Sequence, residues 1–123
     1  MEILKKSILV AVISVFTLTA FSQKEMAMQR AFAESYALET KFKYNDAVAL
    51  LTPLYEENNY ELNLRLGWLY YNAKNYTQSQ NHYQKAVKLK PYSIEAKLGL
   101  VKPLVAIENW EKVADQYEEI LKI

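Results

Sequence analysis

The sequence predicts an all-α protein, an α-solenoid of about three antiparallel helical hairpins, and three observations carry that prediction. Gly67 and Gly99 are the only glycines and Pro53, Pro91 and Pro103 the only prolines, whereas an all-β chain of this length needs many turn residues. Apolar residues recur every three or four positions, as in Leu62, Leu66, Leu69 and Tyr70 and again in Tyr83, Ala86, Val87 and Leu89, the spacing of helices with one buried face. Bulky residues also return after 34 positions: Tyr76 aligns with Trp110, Tyr83 with Tyr117, Leu66 with Leu100, Ala86 with Ile120 and Val87 with Leu121. An earlier copy shows in Tyr44-Asn45-Asp46-Ala47, which matches Tyr76-Thr77-Gln78-Ser79 after a shift of 32.

Residues 1–22 have the three parts of a secretory signal: Lys5 and Lys6, an apolar stretch from Ile8 to Phe16, then small residues at Ala20 and Ser22. Cleavage is expected after Ser22. The apolar stretch, about 14 residues interrupted by Ser14, Thr17 and Thr19, falls short of the roughly 20 that span a bilayer, so no stable membrane span is expected after cleavage. Residues 23–123 then form the repeat domain, with units at about 28–59, 60–93 and 94–123. Its helices are expected at about 25–42, 45–57, 60–73, 77–89, 94–107 and 110–122. Asn75 is suited to the left-handed conformation that ends a helix, Pro91 cannot continue one, and Ser93 is a good N-cap. Pro53 and Pro103 fall inside expected helices, where each removes a backbone donor and predicts a kink.

Composition removes several function classes. The formal charge is +1, and the leader's Lys5, Lys6 and Glu2 leave the remainder neutral. A nucleic-acid binder normally carries a marked basic excess. The charges run basic in the middle (Arg65, Lys74, Lys85, Lys88, Lys90) and acidic at the end (Glu108, Glu111, Asp115, Glu118, Glu119), which reads as solvated helix faces. With no cysteine, neither disulfides, thiolate metal sites nor a lipid-modified leader are available. His82 is the single histidine and is expected on an exposed face. No glycine-flanked serine, phosphate loop or dinucleotide turn is present. Glu56-Glu57 and Glu118-Glu119 read as solvated carboxylates at helix ends. Asn75-Tyr76-Thr77 matches a glycosylation acceptor, but the turn between helices accounts for it. No enzyme activity, cofactor, metal or small-molecule substrate is expected.

Residues 60–93 resemble a tetratricopeptide repeat. Leu66-Gly67, Tyr70, Ser79, Tyr83, Ala86 and Pro91 stand at the spacing of that family's signature, with Asn63 replacing its opening tryptophan and Ser79 its first alanine. Small residues let two helices approach, while Tyr70 and Tyr83 fill the space between neighbouring hairpins. Residues 94–123 are a weaker copy through Leu100, Trp110, Tyr117 and Ile120. There Val101 takes the place of Gly67, and Gly99 comes two residues early. Residues 28–59 are weaker again, with Tyr44, Ala47, Leu51 and Leu54 supporting the second helix and Glu34-Ser35 replacing leucine-glycine.

The resemblance implies a right-handed stack whose first helices line a concave groove for a peptide or a partner's helix. It places Glu61, Leu64, Trp68, Tyr71 and Asn72 in that groove, with Phe32, Tyr36 and Glu39 on one side and Glu95, Leu98, Lys102 and Val105 on the other. Trp68 and Tyr71 are large rings beyond those the inter-helix stripe needs, and such rings serve as interface anchors; the alternative for each is packing against adjacent helices, and the groove is favoured for Tyr71. The family's clamp for a chaperone's C-terminal carboxylate needs lysine and asparagine where Phe32, Tyr36 and Glu95 stand, so chaperone-tail binding is not expected. The apolar face of Val113, Tyr117, Ile120, Leu121 and Ile123 reaches the last residue, where repeat arrays usually become polar. The expected function is an exported, non-catalytic scaffold for a protein or peptide partner in the periplasm or envelope of a Gram-negative bacterium. The alternatives are a homodimer through the C-terminal face, or an accessory subunit of an envelope enzyme or polysaccharide complex.

Overall fold

The computed structural model describes residues 1–123 and contains helices and no strand. Six α-helices run in order: α1 Glu2–Glu39, α2 Tyr44–Leu51, α3 Tyr60–Asn72, α4 Tyr76–Leu89, α5 Ile94–Ala106 and α6 Trp110–Leu121. Each helix packs on the next, and α3 also reaches α5. The last four helices fall within one or two residues of their expected bounds.

The first two differ. A single helix of 38 residues runs from Glu2 through Ser22 into the first packed segment, where a helix of about 25–42 was expected. Gln23, Lys24, Glu25, Met26 and Ala27 are all good helix formers with no cap or breaker among them, so nothing interrupts the backbone ladder. α1 is about 57 Å long at 1.5 Å per residue. Its apolar N-terminal portion is exposed and is long and apolar enough to cross a membrane, a property compatible with a signal peptide or an anchor. α2 is shorter than expected. It stops at Leu51, and Thr52–Leu54 tighten into a 3-10 turn around Pro53, because proline has no N–H and its ring crowds the carbonyl of Ala49. Pro103 is buried, and α5 continues past it to Ala106.

A repeated backbone device closes the turns after α1, α3 and α5. Phe42, Lys74 and Glu108 hold positive φ angles of 58°, 62° and 57°. The next amides along, those of Lys43, Asn75 and Asn109, donate to the carbonyls of Leu38, Tyr70 and Leu104 at 3.0, 2.9 and 2.9 Å. This is the six-to-one bond that satisfies carbonyls at a helix end. The left-handed residue is Lys74 rather than Asn75, because Asn75 already caps α4, its side-chain oxygen accepting from the Gln78 amide. Asn59, Ser93 and Asn109 cap α3, α5 and α6 in the same way, through the amides of Leu62, Ala96 and Lys112.

The core has two clusters. Met28, Ala31, Ala47, Val48, Leu51, Leu62, Leu66 and Leu69 join α1, α2 and α3, and Tyr83, Leu100, Val101, Leu104 and Val113 join α4, α5 and α6. Trp68 packs against both.

The Tyr83 ring lies between the backbones of α3 and α5. A Cβ on Gly67 would come within 2.8 Å of the ring, and one on Gly99 within 2.2 Å. Gly99 sits two residues before the position aligned with Gly67, yet it provides the second wall of the same slot. Ser79, in the family's alanine position, is fully buried, and its hydroxyl donates to the Gly67 carbonyl at 2.7 Å. Asn63 is buried in the place of the signature tryptophan. Its amide nitrogen donates to the carbonyls of Glu57 and Asn59, both at 2.9 Å, fastening the turn between α2 and α3.

Candidate functional site

The second residues of α3 and α5 are Glu61 and Glu95, and counting on by helical steps brings Leu64 and Trp68, and Leu98 and Lys102, onto one face of each helix. Because α3 packs on α5 and α1 supplies the third wall, those faces enclose a groove of about 700 Å³. Phe32, Tyr36, Leu64, Trp68, Leu98 and Lys102 line it, together with Glu61 and Glu95. Leu98 and Tyr36 are exposed within it, and Trp68 is half-buried. Tyr71 and Asn72 lie outside the lining. Tyr71 sits between Trp68 and Tyr76, with ring centroids 6.1 and 5.9 Å away, and the Asn72 amide turns back to the Trp68 carbonyl at 2.8 Å. Glu39 stands behind the groove wall, and Val105 is exposed on α5 outside the lining.

A polar cluster not foreseen from sequence fixes the wall between α1 and α3. Arg65 is only 6% exposed. It pairs with Glu39, donates from Nε to the Ser35 hydroxyl at 3.0 Å, and lies 3.8 Å over the Tyr36 ring. Glu39 also accepts from the Trp68 indole N–H at 2.6 Å. A buried guanidinium needs such partners, since leaving its charge unpaired would be strongly destabilising. The signal in the sequence was the matched spacing: Ser35 and Glu39 are one turn apart on α1, and Arg65 and Trp68 one turn apart on α3.

The side remote from the groove holds a second network. The expectation of a surface histidine fails: His82 is half-buried, stacked on Tyr70 at 5.4 Å and edge-on to Tyr55 at 5.3 Å. Its Nδ1 lies 3.0 Å from Asn63 Oδ1. Because the Asn63 amide nitrogen faces two carbonyls, Oδ1 is the acceptor, and Nδ1 therefore carries the proton of a neutral ring. Burial, with the Lys85 charge adding to it, lowers the His82 pKa to about 4. The Tyr55 hydroxyl also donates to Asn63 Oδ1 at 3.0 Å and accepts from Lys85 Nζ at 3.0 Å, a bond that raises the Lys85 ammonium pKa. On the groove side, burial pushes the Tyr83 phenol well above its ordinary value. No group of three or more His, Asp or Glu side chains stands together as a metal-ligand set.

The remaining signature residues divide by position. Leu66 and Ala86 are buried, Tyr70 is half-buried against His82, and Pro91 is exposed just beyond α4. Trp110 and Tyr117, at 60% and 48% exposure, are not buried. Tyr83, the counterpart of Tyr117, lies against α5 at Gly99, and Tyr76, the counterpart of Trp110, packs on Tyr71 of α3. Compared with models of known protein families and with curated proteins, the chain gives no match.

Proposed function

We propose that the chain is an exported, non-catalytic interaction module, a short tetratricopeptide-like solenoid of three hairpins that holds a peptide or a segment of another envelope protein. The observation that carries this reading is the open groove of about 700 Å³ with an apolar floor of Phe32, Tyr36, Leu64, Trp68 and Leu98. Concave, mostly apolar sites with a few placed polar groups are the usual form of a binding site. The repeated turns after α1, α3 and α5 support the solenoid geometry, since the same backbone device recurs at intervals of 32 and 34 residues.

The test is site-specific photocrosslinking in the native envelope. A crosslinker at Leu98, on the groove, should give a discrete adduct, and one at Asn81, exposed on α4, should not. The same adduct from both positions, or from neither, overturns the reading.

A second reading rests on a different surface. Ile107, Trp110, Tyr117, Leu121 and Ile123 are all exposed at the C-terminal end, an apolar face that a second copy could cover. Sedimentation over a dilution series decides it: a monomer at every concentration removes the homodimer.

A further inference from the structure

The groove's charges are unequally satisfied. Arg65 is paired with Glu39, Ser35 and Tyr36, with its buried Nη2 left without a partner, and Glu61 pairs with Lys90 at 3.5 Å. Glu95 and Lys102 take part in none of the ion pairs. Both line the groove with Leu98 between them. The three form an acid, apolar, base stripe along one face of α5, its charged ends two helical turns or about 10 Å apart. The opposite wall offers Leu64 and the Trp68 ring, whose centroid is 5.6 Å from Lys102 Nζ.

We infer that the groove selects an extended peptide segment with a basic, an apolar and an acidic side chain at alternate positions, laid against Glu95, Leu98 and Lys102. The inference rests on reading the groove as a peptide site and adds the chemistry of the guest. In an extended chain alternate side chains face one way, and positions i and i+4 are about 13 Å apart, so long charged side chains at those positions reach both ends of the stripe while residue i+2 meets Leu98.

The test uses the full chain in mild detergent and three fluorescent heptapeptides read by anisotropy: Ala-Lys-Ala-Leu-Ala-Glu-Ala, and versions with lysine at both charged places or glutamate at both. Palindromic controls matter because a peptide can lie in either direction. The mixed peptide should bind about five-fold more tightly than either control, the scale of one exposed ion pair. Lys102→Glu, an exposed substitution, should move the preference to the double-lysine peptide. Equal affinities for all three, or an unchanged ranking in Lys102→Glu, overturn the charge selection and leave the peptide reading standing. No binding of any of them at millimolar concentration overturns both.

Discussion

Tyr83 and Tyr117 stand 34 residues apart, at the same place in two helix pairs, and one is 3% exposed while the other is 48% exposed. The difference comes from the neighbour on the far side of each pair. α5 closes over Tyr83 and seats it against Gly99, whereas no helix packs beyond α6. Each helix packs on the next, so a side chain's contribution depends on the neighbour its helix has as much as on its own identity.

The largest test of that comparison is the tyrosine pair itself. Tyr83→Ala removes a ring packed on both sides and should lower stability by about 3–5 kcal/mol; Tyr117→Ala should stay within about 1 kcal/mol. Thermal melts of both variants read the difference, and equal losses break the comparison. Next comes Gly99→Ala, which drives a methyl group into the Tyr83 ring and should cost about 1–3 kcal/mol by overpacking, visible as a lower urea midpoint.

His82 gives a smaller, pH-dependent effect confined to the middle pair. Its pKa falls from 6.5 to about 4 on folding, so between those values the unfolded chain binds more protons and stability rises with pH. The contribution is complete above pH 6.5 and is lost as pH falls towards 4. Allowing for solvent screening of a half-buried ring, it amounts to about 1–2 kcal/mol. Urea midpoints across pH 4–7 should fall less steeply for His82→Gln than for the parent. The smallest expected effect is the one in which the two pairs should agree. Lys74→Gly and Glu108→Gly each relieve a left-handed residue and should gain about 1 kcal/mol, measurable by calorimetry, because that strain is local to the turn.

These contrasts separate what the chain states locally from what only assembly reveals. Ser93 announces a helix start through its own side chain and Pro91 a stop, and with the 34-residue recurrence they make the four later helices legible almost to the residue; Asn59, Asn75 and Asn109 cap α3, α4 and α6 in the same way, Asn75 starting a helix where it reads as ending one. Gly99 was not legible, since alignment places Val101 opposite Gly67, and only the path of the Tyr83 ring reveals which residue makes room for it. Arg65 read as one more solvated charge, because its partners Ser35 and Glu39 lie on another helix. His82 has no carboxylate at helical spacing, and its partner, Asn63, shows in the sequence only as a departure from the signature. One helical frame placed Leu64, Trp68, Leu98 and Lys102, which line the groove, and equally Tyr71, Asn72 and Val105, which lie outside its lining; Tyr71 stands between the Trp68 and Tyr76 rings.

The placement of the two indoles makes the molecule its own gauge. Trp110 stands in water, while Trp68 lies in the groove wall beneath the Lys102 ammonium. Replacing Trp110 with phenylalanine would leave a single emitter there, and a guest that engages Lys102 and dries the ring would shift its emission to the blue, so occupancy could be followed by light alone.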